Sequence, residues 1–296
     1  MRILITGANG LLGLKLAAMA LSRGYEVFSS YTLIPPPIGK PVSMDITSEP
    51  SVRRAFEQAR PDAVFHCAAM TDVDKCEEDP EAAIMVNSEG TRTISRKAAL
   101  HNSYIAYVST DAVFDGAKGN YRESDPTNPV NVYGRSKLLG EEAVKSSGAD
   151  FLIARPSVIY GANPASGKVN FALWLVESLR ALKPVTLLTD LYVSPTLNTS
   201  LAGMLLESLE KSLTGTYHMA GATRVSRYEF GTALASVFAL DRSLIRAGTA
   251  PDFQGRWKAT RPPDSSLDVS KVASILDCKP LALNDALKKL REEIDG

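Results

Sequence analysis

Tyr133-Gly134-Arg135-Ser136-Lys137 sets a phenol and an ammonium at i and i+4, one above the other on the same face of a helix. Such a pair can pass a proton to a substrate oxygen. Lowering a tyrosine from pKa ~10 to near 7 takes about 4 kcal/mol, and one positive charge at ~4 Å in an effective dielectric of ~20 supplies roughly that. The lysine is therefore expected to activate the phenol. With 10 tyrosines in the chain, roughly half a Tyr-x3-Lys match arises by accident, so the spacing alone is weak. Its context carries the weight: Ser109-Thr110-Asp111 closes a predicted strand, and open α/β sheets bind ligands at the carboxyl ends of strands. Thr110 would hold a carbonyl oxygen by a hydrogen bond and Tyr133 would protonate it.

The reductant is indicated at the start of the chain. Arg2 to Thr6 reads as a strand that runs into Gly7-Ala8-Asn9-Gly10-Leu11-Leu12-Gly13, with a helix opening at the second glycine. Three glycines three apart permit a tight turn, close approach of backbone to a pyrophosphate, and close packing of helix on strand. The amides at the helix start then meet the phosphate charge. A dinucleotide held there brings a nicotinamide that delivers hydride to the carbonyl carbon, so the chemistry implied is carbonyl reduction. A carboxylate usually ends the second strand of such folds, but here the place holds Ser29, Ser30, Tyr31 and Thr32. A carboxylate would repel a 2′-phosphate, so its absence points to NADPH, with NADH as the alternative and no arginine to complete a phosphate site. Asp45, before Ile46, either caps the adenine pocket or opens a turn into a helix near Ser51. The expected cofactor border here is Gly7, Asn9, Gly10, Leu11, Leu12, Gly13, Ser30, Asp45 and Ile46.

These groups need a scaffold, and the first half supplies one by alternating strand and helix patterns. Arg2 to Thr6, Glu26 to Ser30, Ala63 to Cys67, Tyr104 to Ser109 and Phe151 to Ala154 read as strands. Leu11 to Ser22, Val52 to Ala59, Pro80 to Leu100 and Val132 to Lys145 carry apolar residues at helical spacing. The alternation predicts an α/β fold with a doubly wound parallel sheet. Pro35-Pro36-Pro37 reads as a surface connection. Beyond about Tyr160 the rhythm weakens, although helices are expected over Phe171 to Leu182, Leu197 to Leu209, Tyr228 to Phe238 and Asp285 to Glu293. We expect a dinucleotide-binding domain over 1–160 and a smaller substrate lobe over 161–296, with interleaved segments allowed.

Composition narrows the partners. The 296 residues carry 33 Lys plus Arg against 33 Asp plus Glu, so no net field draws nucleic acid or an anionic membrane. The apolar start is interrupted by Gly7, Asn9, Gly10, Gly13 and Lys15, and no other uninterrupted apolar run approaches the ~20 residues of a membrane span. Cys67, Cys76 and Cys278 lack metal-ligand spacing and suit a reducing compartment, so a cytoplasmic protein is expected. His66, His101 and His218 are scattered and read as structural, and no metal is expected. The acids Asp72, Asp74, Glu77, Glu78 and Asp79 read as a solvated helix start in preference to a cation site.

Taken together, the glycine turn, Thr110 and the Tyr133–Lys137 pair match the short-chain dehydrogenase/reductase superfamily in its extended, sugar-nucleotide branch. Within it, the chain resembles the dTDP-4-dehydrorhamnose reductase family through almost its whole length. The resemblance runs through Arg60-Pro61-Asp62, Ala68-Ala69-Met70-Thr71, Val86-Asn87, Ser109-Thr110-Asp111, Val113-Phe114-Asp115-Gly116 and Asn131 to Lys137. It continues through Asn170-Phe171, Ser194-Pro195-Thr196, Tyr217 to Gly221, Arg261-Pro262-Pro263 and Leu267-Asp268. It implies that Thr110, Tyr133 and Lys137 are catalytic, that Ala68, Ala69, Thr71 and Asn87 join Tyr133 and Lys137 at the cofactor, and that Thr110, Asp111, Asn170 and Arg261 face the nucleotide sugar. It leaves room for a homodimer. An arginine suits a diphosphate because its fork donates two parallel hydrogen bonds.

Two positions depart from the family pattern. Ala112 follows Thr110-Asp111 where the family has an aromatic, and Val158 stands where the family has tryptophan. Two lost flat faces would reshape the sugar pocket. The glutamate that sugar-nucleotide 4,6-dehydratases carry after Thr-Asp is also missing, which disfavours dehydration. Two other readings fit the same branch: a partner-binding subunit resembling methionine adenosyltransferase β, and a sugar-nucleotide epimerase that keeps its NAD.

Overall fold

A computed structural model describes residues 1–163, 169–253, 255 and 257–296. The strands that position the chemistry are β1 (Arg2–Thr6), β2 (Glu26–Tyr31), β3 (Lys40–Ser43), β4 (Ala63–His66), β5 (Tyr104–Val108), β6 (Phe151–Arg155), β7 (Ser157–Tyr160), β8 (Val185–Leu188), β9 (Tyr192–Val193), β10 (Pro195–Leu197) and β11 (Gly215–His218). The helices are α1 (Leu11–Ser22), α2 (Glu49–Ala59), α3 (Val73–Glu78), α4 (Pro80–Ile84), α5 (Thr91–Leu100), α6 (Val132–Lys145), α7 (Phe171–Arg180), α8 (Asn198–Glu210), α9 (Arg227–Val237), α10 (Ser270–Ile275) and α11 (Leu283–Asp295).

Seven parallel strands form the main sheet in the order β11-β6-β5-β4-β1-β2-β3. The chain winds outward from β1 to β3, then returns to the other side of β1 with β4. That reversal opens a crevice outside the carboxyl ends of β1 and β4, where ligands of such sheets sit. The central strands β1, β4, β5 and β6 are nearly continuous apolar runs because both faces are covered. One face packs on α1 and α8 through Leu12, Leu16, Leu201 and Leu205, and the other on α2 and α5 through Phe56 and Ile94. A separate apolar core joins α7, α9 and α11 around Leu175, Phe230, Leu234 and Leu287.

The doubly wound sheet expected from the alternating pattern is present, and three details differ from the sequence reading. β3 follows the triple-proline segment and was not expected, since Pro41 removes a ladder donor; it is tolerated because β3 is the edge strand. The helix expected over Pro80 to Leu100 is α4 and α5 joined by a π-helical segment, Met85–Gly90, which inserts at the site wall. A boundary at 160 also cuts the sheet, because α8 packs on α1 and β11 pairs with β6. The sheet and its covering helices thus take back residues 198–218 after the chain has left them. Among the described residues no helix is long and apolar enough to cross a membrane.

Candidate active site

The glycine turn and the loop after β4 meet across the crevice. Gly7 has a φ of +64°, and a Cβ there would lie 2.8 Å from the Ala68 nitrogen. A Cβ on Gly13 would lie 2.3 Å from the Gly7 carbonyl oxygen, so only glycine lets α1 start against the turn. Gly10 is the α1 N-cap, its nitrogen donates to Gly7 at 2.9 Å, and no side chain caps the helix. The first amides of α1, from Leu11 to Gly13, are the ones a helix leaves without internal acceptors, and a diphosphate fits them. The Leu12 side chain itself is core, so its contribution to a ligand is its backbone.

A relay of hydrogen bonds holds the walls of this cradle. The Ala68 nitrogen donates to Thr6 Oγ1 (3.0 Å), which leaves the Thr6 hydroxyl to donate to His66 Nδ1 (2.7 Å). His66 Nε2–H then donates to Thr91 Oγ1 (3.0 Å), whose proton goes to the Asn87 carbonyl (2.7 Å). Burial pushes His66 down to about 3, so it stays neutral and the assigned tautomer persists. The structural reading of His66 fits this placement. The Asn87 carboxamide accepts from the Met70 nitrogen (2.8 Å) and donates to the Met70 carbonyl and Ser136. It is wholly buried and fixes the Ala68–Ala69–Met70 loop. Ser30 is buried at the end of β2, Thr71 is exposed, and Ile46 packs under the π segment at Gly90. Asp45 is exposed and accepts from the Thr47 nitrogen and hydroxyl, which is the turn reading of that residue. Asn9 donates to the Ile34 carbonyl (2.6 Å), tying the glycine turn to the connection after β2.

Thr110, Tyr133 and Lys137 come together at the ends of β5 and α6. The Asn131 side chain caps α6 by accepting from the Gly134 nitrogen (2.8 Å), and a Cβ at Gly134 would lie 2.1 Å from the Ala112 carbonyl. The helix start therefore presses on the Thr110–Ala112 loop. Lys137 is buried, its Nζ donating to the Val108 carbonyl (2.8 Å) and lying 4.2 Å from the centre of the Tyr107 ring. Burial pushes the ammonium down to about 7, against the pull of Cys67 and Glu141. Burial also raises the half-buried Tyr133 phenol above 10.0, partly offset by the Thr110 hydroxyl and reinforced by Asp111.

This corrects one expectation: Lys137 is not among the largest influences on Tyr133, because its nitrogen is tethered to Val108 and stacked on Tyr107. The phenol stays protonated, which is the form a proton donor requires. The lysine also leaves a mark on stability. The unfolded chain holds the ammonium proton to about 10.5 and the folded chain releases it near 7, so raising pH through that window favours the fold. Denaturant titrations at pH 7 and pH 9 should show this gain in the parent protein and its absence in Lys137→Met.

On the substrate side the structure redistributes roles. Asp111, expected at the sugar, is buried and accepts from Thr110 (3.1 Å), Ser157 (2.6 Å) and Ser265 (2.7 Å). With three hydroxyls on its two oxygens it pins the end of β5 to the substrate lobe. Asn170 caps α7 by accepting from the Leu173 nitrogen (3.3 Å) and donates to the Gly161 carbonyl (2.9 Å). Arg261 pairs with Asp74 (2.8 Å), whose other oxygen receives the Lys258 and Ala259 nitrogens, while Asn131 donates to the Thr260 carbonyl. The acidic cluster is thus put to use as partners: Asp72 and Asp79 cap α3 and α4, and Glu77 accepts from the Val132 nitrogen at the start of α6.

Sequence reading missed Arg227. Its guanidinium lies 4.6 Å from the centre of the Phe171 ring, with no hydrogen bond to any described side chain. Burial pushes it down to about 10, with Asp111 pulling up and Arg261 pushing down, so its charge faces both. A signal was available: Ser226 and Glu229 form a capping box, which places Arg227 in the first turn of α9, where a cation opposes the helix dipole. Trp257, 5.5 Å from the Arg261 guanidinium, adds a flat face beside it. Ala112 and Val158 are half-buried.

The chain is similar to known proteins over nearly its whole length. The model of the family described as RmlD substrate binding domain matches residues 1–295. A probable low-salt glycan biosynthesis reductase, Agl14 of Haloferax volcanii, is 38% identical over 97% of this chain and 96% of its own. A hypothetical dTDP-4-dehydrorhamnose reductase from Sulfolobus tokodaii superposes with a TM-score of 0.85 at 40% identity, covering 97% and 99% of the two chains. The dTDP-4-dehydrorhamnose reductase of Bacillus anthracis, in complex with NADP, superposes with a TM-score of 0.89 at 27% identity over 99% of each chain.

Proposed function

The chain belongs to the RmlD substrate-binding domain family, and from that premise we propose that it uses NADPH to reduce the keto group of a nucleotide-linked 4-keto-6-deoxy sugar, as in dTDP-L-rhamnose synthesis. It is an oxidoreductase of the sugar-nucleotide reductase kind, with NADP as the cofactor class and NADH as the alternative donor. The observation that carries the specific reading is the meeting of Thr110, Tyr133 and Lys137 beside the Gly7–Ala68 crevice, at the carboxyl ends of the central strands. NADPH, when bound along the glycine turn, supplies hydride. The chain's own residues do the rest. Thr110 turns its hydroxyl from Asp111 to the sugar carbonyl oxygen, and Tyr133 donates the phenolic proton to that oxygen. Lys137, held on Val108, places a positive charge below the reacting groups. Asp111 acts through Ser157 and Ser265 to keep the substrate lobe closed on the end of β5.

We place the diphosphate against Arg227, with Arg261 and Asn170 at its border, because among the described residues Arg227 is the guanidinium of this region with no side-chain or carbonyl acceptor. Its replacement by methionine should raise KM for the nucleotide sugar on the order of 10- to 100-fold, the loss of one or two charge-assisted hydrogen bonds. kcat and the NADPH dissociation constant should stay within about threefold. Steady-state kinetics with NADPH and a panel of nucleotide-linked 4-keto sugars tests the whole reading. One reduced cofactor consumed per sugar supports it. Cofactor binding without turnover of any sugar would favour a partner-binding role, and sugar conversion without net cofactor consumption would favour epimerisation.

A further inference from the structure

Glu141 lies one helical turn beyond Lys137 on α6 and is wholly buried. Arg155, at the end of β6, grips it with Nε on Oε1 (2.8 Å) and Nη2 on Oε2 (2.7 Å), and the Ser109 hydroxyl donates to Oε1 at 2.6 Å. Burial pushes the carboxyl up, but the Arg155 fork and Ser109 outweigh it and hold the group below its ordinary 4.5. A buried ion pair adds little net stability, so its placement matters more than its strength. Ser109 directly precedes Thr110, and Lys137 sits at i−4 on the same helix face.

We propose that Glu141 is a positioning residue for the reduction: through Ser109 it fixes the strand end that carries Thr110, and from one turn away its charge holds Lys137 in the ammonium form. The inference rests on the reading of Thr110, Tyr133 and Lys137 given above. The groups facing Lys137 are the Tyr107 ring and Val108 carbonyl of β5, His66 and Cys67 at the end of β4, and Tyr133 and Glu141 on α6, with Arg155 of β6 behind Glu141. His66 is neutral, and burial pushes the Cys67 thiol up to about 12, so neither carries charge near neutrality. Glu141 is then the standing negative charge among them, shared with Arg155 and with the half-exposed Lys145 ammonium 3.6 Å from Oε2.

The pH dependence of kcat/KM for the parent enzyme, Glu141→Gln and Ser109→Ala tests this. In the parent, activity should fall as pH rises through the titration of Lys137. Glu141→Gln should move that limb about one pH unit toward acid, with activity recovered at the lower pH. Ser109→Ala should keep the limb in place and lower kcat about three- to tenfold with cofactor affinity unchanged. A limb unmoved in Glu141→Gln, with activity lost evenly at all pH, would mark a purely structural role and overturn the proposal. Should Glu141→Gln fail to fold, the double variant with Arg155→Met, which removes the stranded guanidinium, reads the same limb. A parent enzyme inactive on every 4-keto sugar would overturn the functional reading itself, whereas an active parent with an unmoved limb overturns only the role of Glu141.

Discussion

Tyr133→Phe should lower kcat by about 10²- to 10⁴-fold while leaving the NADPH dissociation constant within about twofold, since one hydroxyl is removed and the proposed proton donor goes with it. The ring stays in place, because α6 is set by the Asn131 cap and by contact with the Ala112 carbonyl, neither of which involves the phenol. The effect belongs to kcat because the proton is transferred only as hydride arrives, so the interaction is made in the transition state. Thermal unfolding of the variant should match the parent within a few degrees. A loss of cofactor binding equal to the loss of turnover would show that the phenol holds the dinucleotide and has no acid role. Single-turnover mixing with NADPH and a 4-keto sugar, followed by loss of the reduced nicotinamide absorbance, separates the two.

The raised pKa of Tyr133 frames what could and could not be read from the chain. Residue types and spacing placed the phenol and ammonium on one helix face and put Thr110 at a strand end, and the structure brings all three together. What spacing could not supply was the environment: the tether of Lys137 on Val108 and Tyr107 comes from β5, and burial at the helix start comes from the loop around Ala112. Those contacts join residues far apart in sequence. The same applies to Asp111, Asn170 and Asp45, whose polar side chains looked free for ligands and are spent on hydroxyls, a helix cap and a turn. Arg227 was overlooked for the converse reason, since the capping box that places it in the first turn of α9 marks a helix start and does not by itself mark a ligand. The five strands β1, β2, β4, β5 and β6 were legible as short apolar or β-branched runs bounded by polar residues. β11 was not, because its pairing with β6 depends on the chain returning through α8 after building part of the substrate lobe.

Gly13→Ala should abolish useful cofactor binding. The added carbon would lie 2.3 Å from the Gly7 carbonyl oxygen and 2.8 Å from the Ala8 Cα, both backbone atoms that cannot swing aside. The helix must then back away from the turn, and a shift of about 1 Å in the amides that meet the diphosphate costs on the order of 10²-fold. Overpacking of this kind also destabilises by about 1–3 kcal/mol, which should lower the unfolding midpoint by several degrees. Isothermal titration with NADPH and thermal scans would read both. Binding within threefold of the parent would show that the turn and α1 do not form the pyrophosphate cradle. Read beside Tyr133→Phe, the pair divides the site: one variant loses the cofactor and the other keeps it without turnover.

As proposed above, NADPH held at the glycine turn would supply hydride to the keto carbon of a nucleotide sugar, and Tyr133 would protonate the oxygen. NADPH deuterated at the transferring position of the nicotinamide, incubated with the enzyme and a nucleotide-linked 4-keto-6-deoxy sugar, tests it directly by NMR of the product. One deuterium on C4 of the sugar, with oxidised cofactor formed in equal amount and both appearing about 10²- to 10⁴-fold more slowly with Tyr133→Phe, is the predicted result. A sugar recovered without deuterium at C4, while NADPH remains bound and unspent, would contradict the account.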